Sequence, residues 1–92
     1  MKDKLNGIYK VKWSHNVAGD VIHDPAFTYS RTDFLMLRFK EVCETIIGGI
    51  ASRGHVATVE EMEEGNGVII MERWPNDLTI IKMHWVWIEK ED

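Results

Sequence analysis

MHWVWIEKED, residues 83–92, carries the pattern that decides the fold. Side chains of a strand alternate between its two faces, so Met83, Trp85 and Trp87 share one side and His84, Val86 and Ile88 the other. Neither side is polar enough to face water alone, and a strand of this kind needs cover on both. The charged EKED end marks where it leaves that cover.

Upstream the chain reads as two further strands. Leu78 to Glu89 follows Pro75-Asn76-Asp77, where Pro75 presets the first position of a turn. Before it, Val68 to Trp74 is also two-sided, with Val68, Ile70 and Trp74 opposed to Ile69 and Met71. A strand over His55 to Glu63 is joined to it through Asn66-Gly67, a strong hairpin signal because both residues tolerate positive φ.

A helix is predicted ahead of these strands. Ser30 is placed as N-cap, with Asp33 as a variant capping box and Tyr29 against Phe34 as a hydrophobic staple. At 100° per residue Leu35, Phe39, Val42, Cys43, Ile46 and Ile50 form one stripe, flanked by Met36 and Ile47. Gly54 supplies the C′ stop, and Arg53 just before it suits the helix dipole. Gly48-Gly49 implies either close approach of another backbone or a frayed end. Toward the amino terminus Tyr9, Val11 and Trp13 alternate with Lys10, Lys12 and Ser14, a half-buried strand. NVAGD then turns the chain into VIHDPAFTY, a short second strand interrupted at Pro25 or a long loop.

The expected architecture is one α+β domain over residues 1–92. Its single antiparallel sheet has four to five strands in ββαβββ or βαβββ order, with one main helix on one face. Strands about 4.8 Å apart make a sheet roughly 15 to 20 Å wide, against about 10 to 12 Å for a helix with its side chains. One helix therefore leaves sheet uncovered. The first hairpin, a second copy of the chain or a partner protein must supply the rest. Which face meets the helix stays open, because a one-residue change of register at the Pro75 turn reverses every side chain.

Composition narrows the function. Net charge is −4 and no two Lys or Arg residues are adjacent, which disfavours binding to duplex nucleic acid. One cysteine excludes an internal disulfide framework and suits a reducing compartment. MKDKLNG carries charges without an apolar h-region, so no signal peptide is expected. The longest apolar runs, Phe34 to Leu37 and Val68 to Met71, fall far short of the roughly 20 residues a membrane helix needs. The expected location is cytoplasmic.

Few residues point to chemistry. His15 and His23, with Asp20 and Asp24, would share a face and a metal if the intervening turn were Ala18-Gly19-Asp20; a two-residue turn would separate them. The spacing matches no established ligand motif, and neither metal nor cofactor is expected. Cys43 sits within the apolar stripe of the helix as a packed thiol rather than a nucleophile. His84, between two tryptophans, would need a cleft and a charged partner for acid/base work, and the sequence places neither. Tyr9 and Trp13 lie on the face opposite Lys10 and Lys12, which argues against a stacking platform for single-stranded nucleic acid.

Glu60, Glu61, Glu63 and Glu64 form the one concentrated charge feature. They protect a sheet edge from adding strangers, or dock onto a basic partner. Leu37 projects from the polar side of the helix, and Phe34 does so unless the staple holds it, giving a small contact patch. Compact, acidic, motif-free chains include many inhibitors and regulators, some encoded by phages and mobile elements that counter host defences. The leading expectation is a non-catalytic protein-binding regulator that occludes a partner macromolecule and self-associates as a homodimer or higher oligomer. Its contacts would come from the four glutamates, Phe34, Leu37 and an aromatic anchor at Trp74 or Trp85. The alternative is an oligomeric small-molecule or nucleotide binder, its pocket between sheet and second subunit and lined by His84, Trp85 and Trp87.

Overall fold

The strand that contains residues 83–91 lies in the middle of the sheet, which explains its two apolar faces. The computed structural model describes residues 4–15, 21–23 and 28–91. Their elements are β1 (Lys4–His15), β2 (Val21–His23), β3 (Tyr29–Arg31), α1 (Thr32–Ser52), β4 (Val56–Glu61), β5 (Gly67–Arg73) and β6 (Ile80–Glu91). One antiparallel sheet runs β2-β1-β6-β5-β4, and the three-residue β3 pairs with β1 off this path. The fold is α+β with one helix on one face, as expected, and β3 adds a short strand that the sequence did not announce. NVAGD, Pro25, Asp20 and Asp24 lie outside the described residues.

The register settles which face meets the helix. Trp13 pairs with Val86 and Val11 with Ile88 across β1 and β6, while Ile70 pairs with His84 across β5 and β6. Val11, Ile70 and Val86 are fully buried and join Leu35, Val42 and Ile50 of α1 in the core. The predicted helical stripe is thus the packed one, with Phe39, Cys43 and Ile46 at its margin. The opposite face carries Met83, Trp85 and Trp87, all half-buried. Gly67 and Lys12 stand beside Trp87, and Ile69 and Ser14 beside Trp85. Small neighbours leave room for the indoles to lie over the sheet, and Gly67 and Ser14 are buried as a result. The tryptophans themselves supply part of the second cover.

Four local expectations need correction. The helix starts at Thr32, with Arg31 as N-cap and no side-chain cap hydrogen bond; Ser30 belongs to β3. Asp33 accepts from the Phe34 backbone N–H at 3.0 Å and pairs with Arg31, doing within the first turn what a capping serine does before it. Phe34 is more than half exposed, with the Arg31 guanidinium 5.2 Å from its ring centre, while Tyr29 packs against the core.

The β4–β5 connection also differs from an Asn66-Gly67 two-residue turn. Glu61 pairs with Val68, and the Gly65 N–H closes the turn onto the Met62 carbonyl at 2.9 Å, with positive φ at Gly65. Gly67 is needed for a different reason: a Cβ there would meet the Val86 carbonyl oxygen and the Trp87 backbone well inside van der Waals contact. Gly48-Gly49, finally, neither frays nor admits a backbone. The helix continues to Ser52, and the space at Gly49 is taken by the Arg53 guanidinium.

Candidate functional site

The alternation of β5 continues past Val68 and Ile70 to Glu72, placing a carboxylate on the helix-facing side of a central strand. It is 2% exposed. A charge in such a place requires compensation, and the end of α1 delivers it. The helix closes in a Schellman arrangement, the His55 N–H bonding the Ile50 carbonyl at 3.1 Å and the Gly54 N–H the Ala51 carbonyl at 3.0 Å. Gly54 takes φ +77° and turns the chain back toward the sheet. Arg53 and His55, on either side of that glycine, both reach Glu72.

Four N–H donors converge on the carboxylate. Arg53 donates from Nε to Oε2 at 2.8 Å and from Nη2 to Oε1 at 2.9 Å, a two-pronged pair. His55 Nδ1 lies 2.5 Å from Oε2 and His84 Nε2 lies 3.2 Å from Oε1. The Arg53 hydrogen bonds hold the Glu72 carboxyl far below the usual carboxylate range, against the opposing effect of its burial. Glu72 is therefore ionised throughout the physiological range and can only accept.

That constraint propagates. An ionised Glu72 requires the proton of His84 on Nε2. Burial lowers the pKa of His84, so it is neutral at pH 7 and its Nδ1 carries a bare lone pair. His15, directly opposite His84 in the β1–β6 pairing, places its own Nδ1 2.7 Å from that lone pair. His15 must donate there. Its pKa is lowered too, first by burial and then by the charges of His84 and Lys82, which leaves its Nε2 unprotonated. Glu72, His84 and His15 thus form a hydrogen-bonded line that fixes the tautomer of every imidazole in it.

The line opens into a cleft of about 660 Å³ between α1 and the sheet. Apolar walls come from Trp13, Val42, Ile46 and Ile81, and polar ones from Arg38, Arg53, Lys82 and the three histidines. The Arg38 guanidinium lies 5.8 Å from the Trp13 ring centre. Lys82 pairs with Glu72 in the strand register, yet makes no ion pair among the described residues. Trp74 is 49% exposed, its indole edge-to-face with His55 at 4.9 Å.

His84 thus has both the cleft and the charged partner that the sequence did not place. Within one chain His84 and the two tryptophans do not line one pocket, because Trp85 and Trp87 are on the other sheet face. The proposed partner-binding residues fall in separate places. Glu60, Glu61, Glu63 and Glu64 are exposed along the end of the edge strand β4 and the turn after it. Trp85 and Trp87 share a shallow groove with Met62, Glu64, Asn66 and Glu89. Trp74 stands at the other end of β5, and Phe34 and Leu37 line a further groove near the start of α1.

His23 pairs with Lys12, not with His15, so the hairpin does not join the two histidines. Among the described residues no group of three His, Cys, Asp or Glu is disposed to hold a metal ion. Burial raises the Cys43 thiol pKa, which suits a packed thiol. No helix of the described chain is long and apolar enough to cross a membrane. Comparisons with protein-family models, curated proteins and solved structures find no match.

Proposed function

We propose that the protein binds a small organic anion with a flat apolar body in the cleft between α1 and the sheet. The observation that carries this reading is the disposition of Lys82 and Arg53. In a chain of net charge −4, an ammonium without an ion-pair partner among the described residues and a guanidinium anchored on buried Glu72 both line one cleft. Glu72 fixes Arg53 by its Nε and Nη2 edge, so the remaining N–H groups are oriented before any ligand arrives. Trp13 and Ile46 offer the apolar wall for the rest of the molecule. The lining residues named here all come from one chain.

Calorimetric titration with inorganic phosphate and with a nucleoside monophosphate tests this. The nucleotide binds more tightly than phosphate, its affinity falls with added salt, and Lys82→Ala weakens it about tenfold by removing one charge-assisted contact. Equal affinity in the Lys82→Ala protein would place the ligand elsewhere.

A second reading, occlusion of a basic protein surface, is favoured by the Trp85–Trp87 groove, because Glu64 and Glu89 flank its indoles and Glu60, Glu61 and Glu63 lie close by in sequence. Acidic residues attract and an aromatic anchors. Here the four glutamates changed to Lys abolish capture of a basic partner, and Trp85→Ala slows none of the association but speeds release. Capture that survives the charge reversal removes this face from consideration.

A further inference from the structure

We propose that His15 is a general base that cleaves RNA-like phosphodiesters in the cleft, a proposal that rests on the anion-binding reading of the same site. The Glu72–His84–His15 line ends in an unprotonated Nε2 on His15, a cleft-lining residue. Such a line is a proton path. When Nε2 takes a proton, the Nδ1 proton of His15 can pass to His84 over 2.7 Å, bringing the positive charge against the Glu72 carboxylate. A merely structural carboxylate, already met by Arg53, His55 and His84, would need no third histidine behind them.

The class of substrate follows from what the cleft contains and what it lacks. Among the described residues Thr45 supplies its one hydroxyl, already bonded to the Glu41 carbonyl at 2.9 Å, and no thiol lines it. A base with no side-chain nucleophile beside it acts on a nucleophile the substrate brings. A phosphodiester with a neighbouring 2′-hydroxyl carries both the anion for Lys82 and Arg53 and its own attacking oxygen. Trp74, exposed beside His55, and Trp13 offer surfaces for unpaired bases.

The reaction balances without a co-reactant. His15 Nε2 takes the 2′-hydroxyl proton as the 2′-oxygen bonds to phosphorus. The bond from phosphorus to the 5′-oxygen breaks, its electron pair staying on that oxygen, which takes a proton from the Lys82 ammonium. A 2′,3′-cyclic phosphate and a 5′-hydroxyl result, and His15 and Lys82 exchange protons with water to return to their starting forms. His84 and Glu72 touch no substrate and are positioning residues. The net negative charge of the chain is no obstacle. The acidic turn precedes β5 and Glu72 is near its end, roughly 17 Å of strand away.

The test uses the full chain with a single-stranded RNA oligonucleotide and the DNA of the same sequence, alongside His15→Ala protein purified identically. RNA is cut to 2′,3′-cyclic ends, DNA is not, and His15→Ala loses about 100-fold or more of the rate, partly restored by added imidazole. His84→Gln keeps an N–H for Glu72 but passes no proton, so the charge taken up by His15 can no longer move against Glu72, His15 becomes harder to protonate and the acid limb of the pH–rate profile moves downward. Cleavage undiminished in His15→Ala, or a pH profile unchanged in His84→Gln, overturns the relay. Nucleotide binding without cleavage overturns the catalytic proposal and leaves the anion site standing. Absence of both removes the two together.

Discussion

Gly67→Ala destabilises the fold by about 3 kcal/mol, the upper range for forcing atoms into a closed site. The added methyl would meet the Val86 carbonyl oxygen and the Trp87 Cα, and both belong to the backbone of the neighbouring strand. A side chain could rotate aside, whereas at Val86 and Trp87 β6 is held between β1 on one side and β5 on the other. Relief therefore requires the β5–β6 pairing itself to open near Trp87. The same substitution elsewhere gives different results. Gly65→Ala meets no atom within 4 Å but must hold φ near +72°, at a cost of about 1 kcal/mol. Gly48→Ala, within the helix and also free of neighbours, gains about 0.5 to 1 kcal/mol. Urea unfolding of the three proteins measures all of this through the midpoint. Equal effects at Gly67 and Gly65 would show that the close approach of β6 is not the cause.

Much of this frame was legible in residue order, because period 2 and period 3.6 are local signals. Leu35, Val42 and Ile50 could be aligned on one helix face without knowing the sheet they meet. What the periodicity left undecided was register, and register depends on how many residues each turn consumes. The segment from Trp74 to Thr79 closes with the Trp74 N–H on the Thr79 carbonyl at 3.0 Å, and Leu78 takes φ +62° within it. A leucine in that conformation is not a turn signal any composition rule supplies.

The site was harder to see for a related reason. Glu72 obeys the alternation that puts Val68 and Ile70 inward, and that position was its signal. Arg53 read as a helix-end cation and His55 as the start of a strand, and only the turn at Gly54 brings them onto one carboxylate. His15 stands near His23 in sequence, whereas its partner across β1 and β6 is His84, 69 residues away. Long-range pairs of this sort follow from sheet order, which no local pattern contains.

Glu72→Gln destabilises the protein at pH 7 by about 2 to 3 kcal/mol, somewhat below the range for a fully buried ion pair because Arg53 is half exposed. The amide can accept on one atom only. Its NH₂ group confronts donors from Arg53 and from one histidine, so a site arranged for four N–H groups becomes mispaired. The pH dependence separates charge from shape. The folded Glu72 carboxyl titrates far below its unfolded value, so its contribution is complete above about pH 4.5 and is lost as pH falls toward the folded value. His15 and His84 also have lowered folded pKa values, and their contribution is present above about pH 6.5 and declines as the pH drops below it. Wild type accordingly loses stability in two stages on acidification, whereas Glu72→Gln shows the histidine stage alone. Because the Glu72 charge raises the His84 pKa, the histidine stage is larger in Glu72→Gln; the gap between the two proteins, followed by chemical unfolding from pH 7 downward, widens below about pH 6.5 and closes below about pH 4.5. A gap of constant size at every pH would mean that Glu72 contributes through packing, and the hydrogen-bonded line from Glu72 to His15 would lose the fixed negative charge on which its tautomers depend.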